Sequence, residues 1–358
     1  MLEMPSSMTP SDSPPLAQNA DSNALESGLN SIVPKLLNFT NPWYLRGGHL
    51  QTLVGYYRGG KLPYLPTERL EVDLCDGDRL LIHASTPENW QPGGPCAIML
   101  HGLTGSHRSA HVARIAVDLF QRGWRIGRVD LRGAGDGFAL ARRLYHVGRS
   151  GDIVHAAKAF MEQAPRSPLV VIGFSLGGNI ALKLALESAG PDLPQLQAVA
   201  AVCPPVDPAA CVRRVCMGRF RIYDRLFYRE LRLDWERRCL LFPDLPQIVL
   251  PKRGTLRVFD DMITAPLNGY SDSEDYYQDN ATAGRLGDMP IPAIIVAAAD
   301  DPVVTIEPLA ELARKGAHPS HLQLELTSGG GHLGYVGRGK SMLNWAEQRV
   351  VEWLISRF

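Results

Sequence analysis

The pentapeptide Gly173-Phe174-Ser175-Leu176-Gly177 is the one G-x-S-x-G of the chain. It follows the apolar run Leu169-Val170-Val171-Ile172 and opens a segment, Leu176 to Ser188, whose apolar residues recur at helical spacing. A serine on so sharp a strand-to-helix turn takes a strained backbone conformation, and side chains two residues to either side would collide. Glycine at 173 and 177 removes the collision, and Gly178 lets the helix pack closely. A serine hydroxyl is a poor nucleophile at neutral pH, so acyl chemistry needs a base beside it and an acid to orient that base. Downstream come Ala299-Asp300-Asp301-Pro302-Val303-Val304, after the apolar run Pro292 to Ala298, and Gly329-Gly330-Gly331-His332-Leu333-Gly334, after the last such run. Both would sit at carboxyl ends of strands, where open α/β sheets place their sites. Ser175 is therefore the candidate nucleophile, His332 its base and Asp301 the orienting acid. Asp301 is preferred because D-P-V-V has the form of an acid-bearing loop, which leaves Asp300 as a turn or capping residue. His332 is preferred over His318 and His321, since His321 begins its strand and would lie at the wrong end.

The oxyanion that develops in acyl transfer needs preorganised backbone donors. The N–H groups of Leu103, in His101-Gly102-Leu103-Thr104-Gly105, and of Leu176, beside the serine, are assigned that role. His101 itself reads as a hydrogen-bonded packing residue at a strand end.

The elements that must position these groups are legible as an alternation. Strand-like runs fall at 69–74, 79–85, 96–101, 124–130, 168–174, 198–203, 292–298 and 321–326, and the later ones are almost wholly apolar, as in parallel strands buried on both faces. Helix-period segments lie at 109–122, 151–163, 176–188, 305–315 and 341–356. Strand-helix alternation predicts right-handed crossovers and one doubly wound, eight-stranded, mostly parallel sheet with helices on both faces. The short turn Asp76-Gly77-Asp78 predicts an antiparallel hairpin at one edge. Residues 1–30, rich in Ser and Pro, read as a disordered tail. Residues 31–68 read as an N-terminal segment packed on the domain, 69–203 and 289–358 as the core, and 204–288, without clear strand runs, as a helical cap insertion.

Composition bounds the partners. The chain has 358 residues with 37 basic and 37 acidic side chains, so no overall basic surface recommends nucleic acid or an anionic membrane. No apolar run approaches the roughly 18 residues of a membrane span. Six cysteines without C-x-x-C or finger spacing call for no metal, and residues 1–30 lack the basic start of a secretory signal, so a cytoplasmic location is expected. Neutrality is a sum of opposites: residues 203–240 hold nine Arg against five acidic residues, and 260–288 hold seven acidic residues against Arg285. The preferred reading of Arg213 to Arg238 is a solvated or salt-bridged helical face that partners the acidic stretch; the other is a phosphate or anionic-surface site. Two motif matches are set aside. Gly334 to Ser341 fits G-x-x-x-x-G-K-S, but 17 residues after it leave no room for a nucleotide fold, and Gly133 to Phe138 lacks the third glycine of a dinucleotide fingerprint.

Several stretches together resemble the YheT-like group of α/β-hydrolases, the AB hydrolase 4 family. They are Asn41-Pro42-Trp43, Arg46-Gly47-Gly48-His49-Leu50-Gln51-Thr52, His101 to Gly105, Asp130-Leu131-Arg132-Gly133, Gly173 to Asn179, Thr255 to Asp261, Thr264 to Tyr270 with Tyr276-Tyr277, and Gly330 to Gly334. The resemblance implies an α/β-hydrolase fold and a Ser-Asp-His hydrolase of carboxylic esters, with short- to medium-chain acyl esters expected and Ser175, Asp301 and His332 carried over. It implies no cofactor. Acyl transfer to an alcohol uses the same acyl-enzyme, and a non-catalytic binding protein on the same fold is the contrasting expectation. The role of His49 and its neighbours does not follow from the sequence, and neither does the oligomeric state.

Overall fold

The computed structural model describes residues 36–37, 39, 41–57, 65–337 and 341–358, so the tail reading of 1–30 lies outside the described residues. In chain order the elements are helix α1 (Gly48–Tyr57), strands β1 (Glu68–Asp73), β2 (Arg79–Ser85) and β3 (Cys96–Leu100), helix α2 (Ala110–Gln121), strand β4 (Arg125–Asp130), helix α3 (Ser150–Met161), strand β5 (Leu169–Phe174), helix α4 (Leu176–Ser188) and strand β6 (Leu196–Val202). After a long helical stretch come strand β7 (Ala293–Ala298), a helix at Glu307–Lys315, strand β8 (Leu322–Thr327) and a helix at Trp345–Ile355. The strands form one sheet in the order β1-β2-β4-β3-β5-β6-β7-β8, parallel from β4 to β8. The edge hairpin is present as expected: β1 pairs antiparallel with β2, and β2 antiparallel with β4.

Burial on both faces follows from the alternation of side chains along each strand. Cys96, Ile98 and Leu100 of β3 join one core with Ile153, Phe160 and Leu184, whereas Ala97 and Met99 join another with Val112, Ile115 and Val350. Helices therefore cover both faces of the sheet, and the strand order reverses between β3 and β5, with β4 on the outer side of β3. Ligand crevices of open α/β sheets form at the carboxyl ends of strands beside such a reversal.

The stretch between β6 and β7 contains, among its described residues, helices α5 (Pro208–Val215), α6 (Arg221–Leu241), α7 (Leu256–Phe259), α8 (Ala265–Leu267) and α9 (Ser273–Asn280). The helices after β7 and β8 are accordingly α10 and α11. Asp207 caps α5 by accepting from the Ala210 N–H, with Pro208 at its first position. Helix α6 buries Tyr228, Leu231 and Trp235 in a small core of its own with Leu250, Phe259 and Ile263. The arginine-rich stretch meets the acidic one at a single ion pair among the described residues, Arg213 with Glu274 at 3.7 Å. The remaining contacts are elsewhere and correct the expectation of a mutual face. Arg232 and Arg238 pair within α6, and buried Arg238 also donates to the carbonyls of Ala141 and Gly133.

The two set-aside motifs have ordinary structural roles. A Cβ at Gly135 would strike the Asp130 carboxylate 2.4 Å away, so Gly133 to Phe138 is a tight turn over Asp130. Gly334 packs on the Gln51 carbonyl of α1, and residues 338–340 of the other match lie outside the described residues.

Candidate active site

Ser175 stands between β5 and α4 at φ 51° and ψ −122°, outside the regions that L residues favour. The turn is fixed on both sides, since the Ser175 N–H donates to Val202 O at 2.9 Å and the Gly178 N–H to Ser175 O at 2.8 Å. The two glycines of the pentapeptide are required by close backbone approach. A Cβ at 173 would fall 2.1 Å from Gly177 O, and one at 177 would fall 2.5 Å from His101 O.

The structure brings the three predicted side chains together from three strand ends. His332 Nε2 lies 2.9 Å from Ser175 Oγ, and His332 Nδ1 lies 2.8 Å from Asp301 Oδ2. With Nδ1–H donating to the carboxylate, Nε2 is left as the acceptor that faces the serine hydroxyl. Asp301 is buried, and its Oδ1 accepts the N–H groups of Val303 and Val304 at 2.7 and 2.9 Å, which fixes the carboxyl plane. Its neighbour Asp300 accepts the Gly331 N–H at 2.7 Å, so it braces the histidine loop rather than the imidazole. His321 donates to Met289 O at the opposite end of β8.

Leu103, in a loop, and Leu176, the first residue of α4, flank the serine, and among the described residues neither of their N–H groups has a hydrogen-bond partner. A Cβ added to Gly102 would sit 3.0 Å from Ser175 Cβ, so the glycine is what lets the 101–105 loop close on the serine. That loop is anchored by His101, which donates from Nδ1 to Gly102 O at 2.8 Å and accepts the Leu131 N–H at Nε2. Burial holds its pKa down to about 4, so the ring is a neutral brace.

Beside Ser175 opens a cavity of about 850 Å³, counting its mouth, lined by Leu103, Val212, Val215, Phe227, Leu231 and Val304 among others. Its one carboxyl group is Asp260, which accepts the Tyr277 hydroxyl at 2.6 Å and whose pKa burial raises to about 6.

The role that sequence reasoning left open belongs to α1. Thr52 Oγ1 accepts the His332 N–H at 2.8 Å and donates to Gly48 O at 2.7 Å. Gln51 is buried and clasps Val336 through both its backbone groups. Gly48 and Gly55, two turns apart on one face, meet Asp300 and Gly334 so closely that a Cβ would lie 1.7 and 2.6 Å from their backbones. The R-G-G-H-L-Q-T string is thus a helix face cut to fit the acid and histidine loops. A signal existed in the two glycines at helical spacing, but their partners are more than 240 residues away.

Among the described residues, two groups bring three metal-ligating side chains within 4.8 Å: His83, His107 and Asp130, and Cys203, Asp301 and His332. In the first, both imidazoles share the Asp130 carboxylate at 2.9 to 3.1 Å. The second consists of Asp301 and His332 with a buried thiol whose pKa is raised by desolvation.

Residues 98–338 match the alpha/beta hydrolase fold family. The chain is 29% identical over 315 residues to YheT of Escherichia coli, provisionally named an esterase, covering 86% of this chain and 89% of that one. It is 27% identical over 270 residues to a monoacylglycerol lipase of Saccharomyces cerevisiae, covering 73% of this chain and 59% of the other. An esterase structure from Pyrococcus furiosus superposes with a TM-score of 0.53 at 16% identity over 90% of this chain and 99% of that one, a likeness of fold.

Proposed function

The chain belongs to the alpha/beta hydrolase fold family, and from that premise we propose that it is a serine hydrolase of carboxylic esters working through Ser175, His332 and Asp301. The observation that carries the reading is the unbroken hydrogen-bonded series from Asp301 to His332 to Ser175, opening onto an apolar cavity.

Each step has a group suited to it. Ser175 Oγ attacks the ester carbonyl as His332 Nε2 takes its proton, and Asp301 stabilises the imidazolium that forms. The negative oxygen is met by the N–H groups of Leu103 and Leu176, which have no partner to give up and so need no reorganisation. His332 returns the proton to the departing alcohol, leaving an acyl-serine. Water, deprotonated by the same imidazole, then releases the acid. The helical stretch 204–288 acts as the cap: it supplies most of the residues that line the cavity, Val212, Val215, Phe227 and Leu231 among them on the apolar wall that an acyl chain would contact. Space for several methylenes beside the serine favours medium-chain over acetyl esters, each buried methylene contributing about 0.8 kcal/mol. No step calls on a cofactor. Six unpaired cysteines agree with the reducing cytoplasm as the working compartment.

A fluorophosphonate probe tests the reading. The protein should be labelled covalently at Ser175, and Ser175→Ala should abolish labelling together with hydrolysis of p-nitrophenyl esters. Labelling that survives the substitution overturns the nucleophile assignment.

A further inference from the structure

The outward face of α6 is unlike that of an ordinary solvated helix. Arg221, Arg225 and Arg229 recur at four-residue spacing, all exposed, and none has an ion-pair partner among the described residues. Between them project Ile222 and Leu226, 66% and 50% exposed, with Met217 at 67% just before the helix. The carboxylates of these turns do not neutralise the face: Asp224 points inward and is buried, and Glu230 alone is exposed.

This face continues onto α1. His49 stacks on Phe220 and Tyr223 with ring centres 5.5 and 5.6 Å apart, and its Nδ1 lies 3.1 Å from the Tyr223 hydroxyl, so the start of α6 meets the start of α1 at this residue. Beyond the seam α1 exposes Leu53 and Tyr56, one turn and two turns along from His49. The same seam roofs the catalytic histidine, since Thr52 accepts the His332 N–H.

We propose that the α6 face and its continuation on α1 dock the protein onto a bilayer surface that carries anionic phospholipid. Unpaired guanidinium groups interleaved with exposed aliphatic and aromatic side chains match a surface that is anionic at the headgroups and apolar just beneath. A polyanion such as nucleic acid would use the arginines and leave Ile222, Leu226 and Met217 in water; a protein groove would use the apolar residues and leave three like charges unmatched. The proposal is independent of the catalytic reading, because docking needs no turnover.

Sedimentation of the full chain with phosphatidylcholine vesicles, with and without phosphatidylglycerol, tests it. Binding should require the anionic lipid and fall at high salt. Reversing Arg221, Arg225 and Arg229 together to Glu should weaken binding on the order of a hundredfold. The pair Ile222→Asp and Leu226→Asp should weaken it while the arginines remain. Thermal unfolding by circular dichroism should stay unchanged in both variants, because all five side chains are exposed. No binding to anionic vesicles, binding indifferent to lipid charge, or binding that survives either set of substitutions overturns the proposal. Heparin retention without vesicle binding overturns it in favour of a soluble polyanion.

Discussion

Thr52→Val is the substitution that isolates what α1 does for the chemistry. Valine keeps the volume of threonine and removes the oxygen that accepts the His332 N–H at 2.8 Å. A partly buried donor left without its acceptor costs about 1–3 kcal/mol. The loss falls on a loop that cannot hold itself: Gly330, Gly331, Leu333 and Tyr335 all have positive φ, and the two non-glycines among them adopt a conformation they do not favour. Such a loop persists only because its surroundings over-determine it, here through Thr52, Gln51 and Asp300. A displacement of roughly 1 Å at a reacting group lowers a rate by about a hundredfold, so kcat toward a soluble p-nitrophenyl ester should fall by about 10- to 100-fold. KM should change by less than about twofold, because the lost contact serves the histidine rather than the acyl cavity. The melting temperature should fall by about 1–4 °C. Thr52→Ser restores the acceptor and should restore kcat, which a purely steric role for the methyl group would not allow. A Thr52→Val enzyme with unchanged kcat, or a Thr52→Ser enzyme as impaired as the valine variant, refutes the positioning role.

Other outcomes follow from the same geometry. Asp301→Asn should keep the fold but turn an N–H toward Nδ1, so that Nε2 carries the proton and cannot accept from Ser175; ester hydrolysis should drop by about 10⁴-fold with little change in melting temperature. Leu231→Trp narrows the cavity, and kcat/KM should fall progressively with acyl length while acetyl esters are spared; uniform loss across chain lengths refutes the cavity as the acyl site. Asp260 gives a pH signature. Its buried carboxyl titrates near 6 instead of 3.8, so the folded chain keeps a proton that the unfolded chain has already released, and stability falls as pH rises between those values. Asp260→Asn removes that term and should melt above the native protein past pH 6, by up to about 3 kcal/mol, with the advantage gone near pH 4. Calorimetry across that range decides it, and a difference that does not vary with pH refutes the buried-acid assignment.

What could be read from the sequence and what could not divides along the range of the interactions involved. The strands and the helix after Ser175 announce themselves because apolar period and turn glycines are local; the elbow requires Gly173 for a clash within its own turn, whereas Gly177 makes room for the carbonyls of Leu100 and His101 at the neighbouring strand end. Asp301 and His332 could be placed because the sheet itself aligns its strand ends, so knowing the topology is enough to bring residues 157 and 31 apart in sequence into contact. Helix α1 is different. The partners that explain its two buried glycines, its threonine and its glutamine are distant in sequence: Gly48 fits Asp300, Gly55 fits Gly334, Thr52 holds the His332 N–H, and Gln51 reads the backbone of Val336. A helix whose glycines weaken it locally, and whose mean pattern leaves Leu50, Leu53, Tyr56 and Tyr57 exposed, offers no periodic signal of a buried face. The arginine stretch failed for the complementary reason. Charge balance over a window suggests pairing between neighbours in sequence, but which arginines pair depends on helical phase. On α6 that phase turns Arg238 into the protein and Arg221, Arg225 and Arg229 out of it. Composition counts all of these as one basic run. Only the phase shows that the three on the outside have no acidic partner among the described residues, and it is this unmatched charge, together with the aliphatic side chains between, that calls for a partner outside the chain.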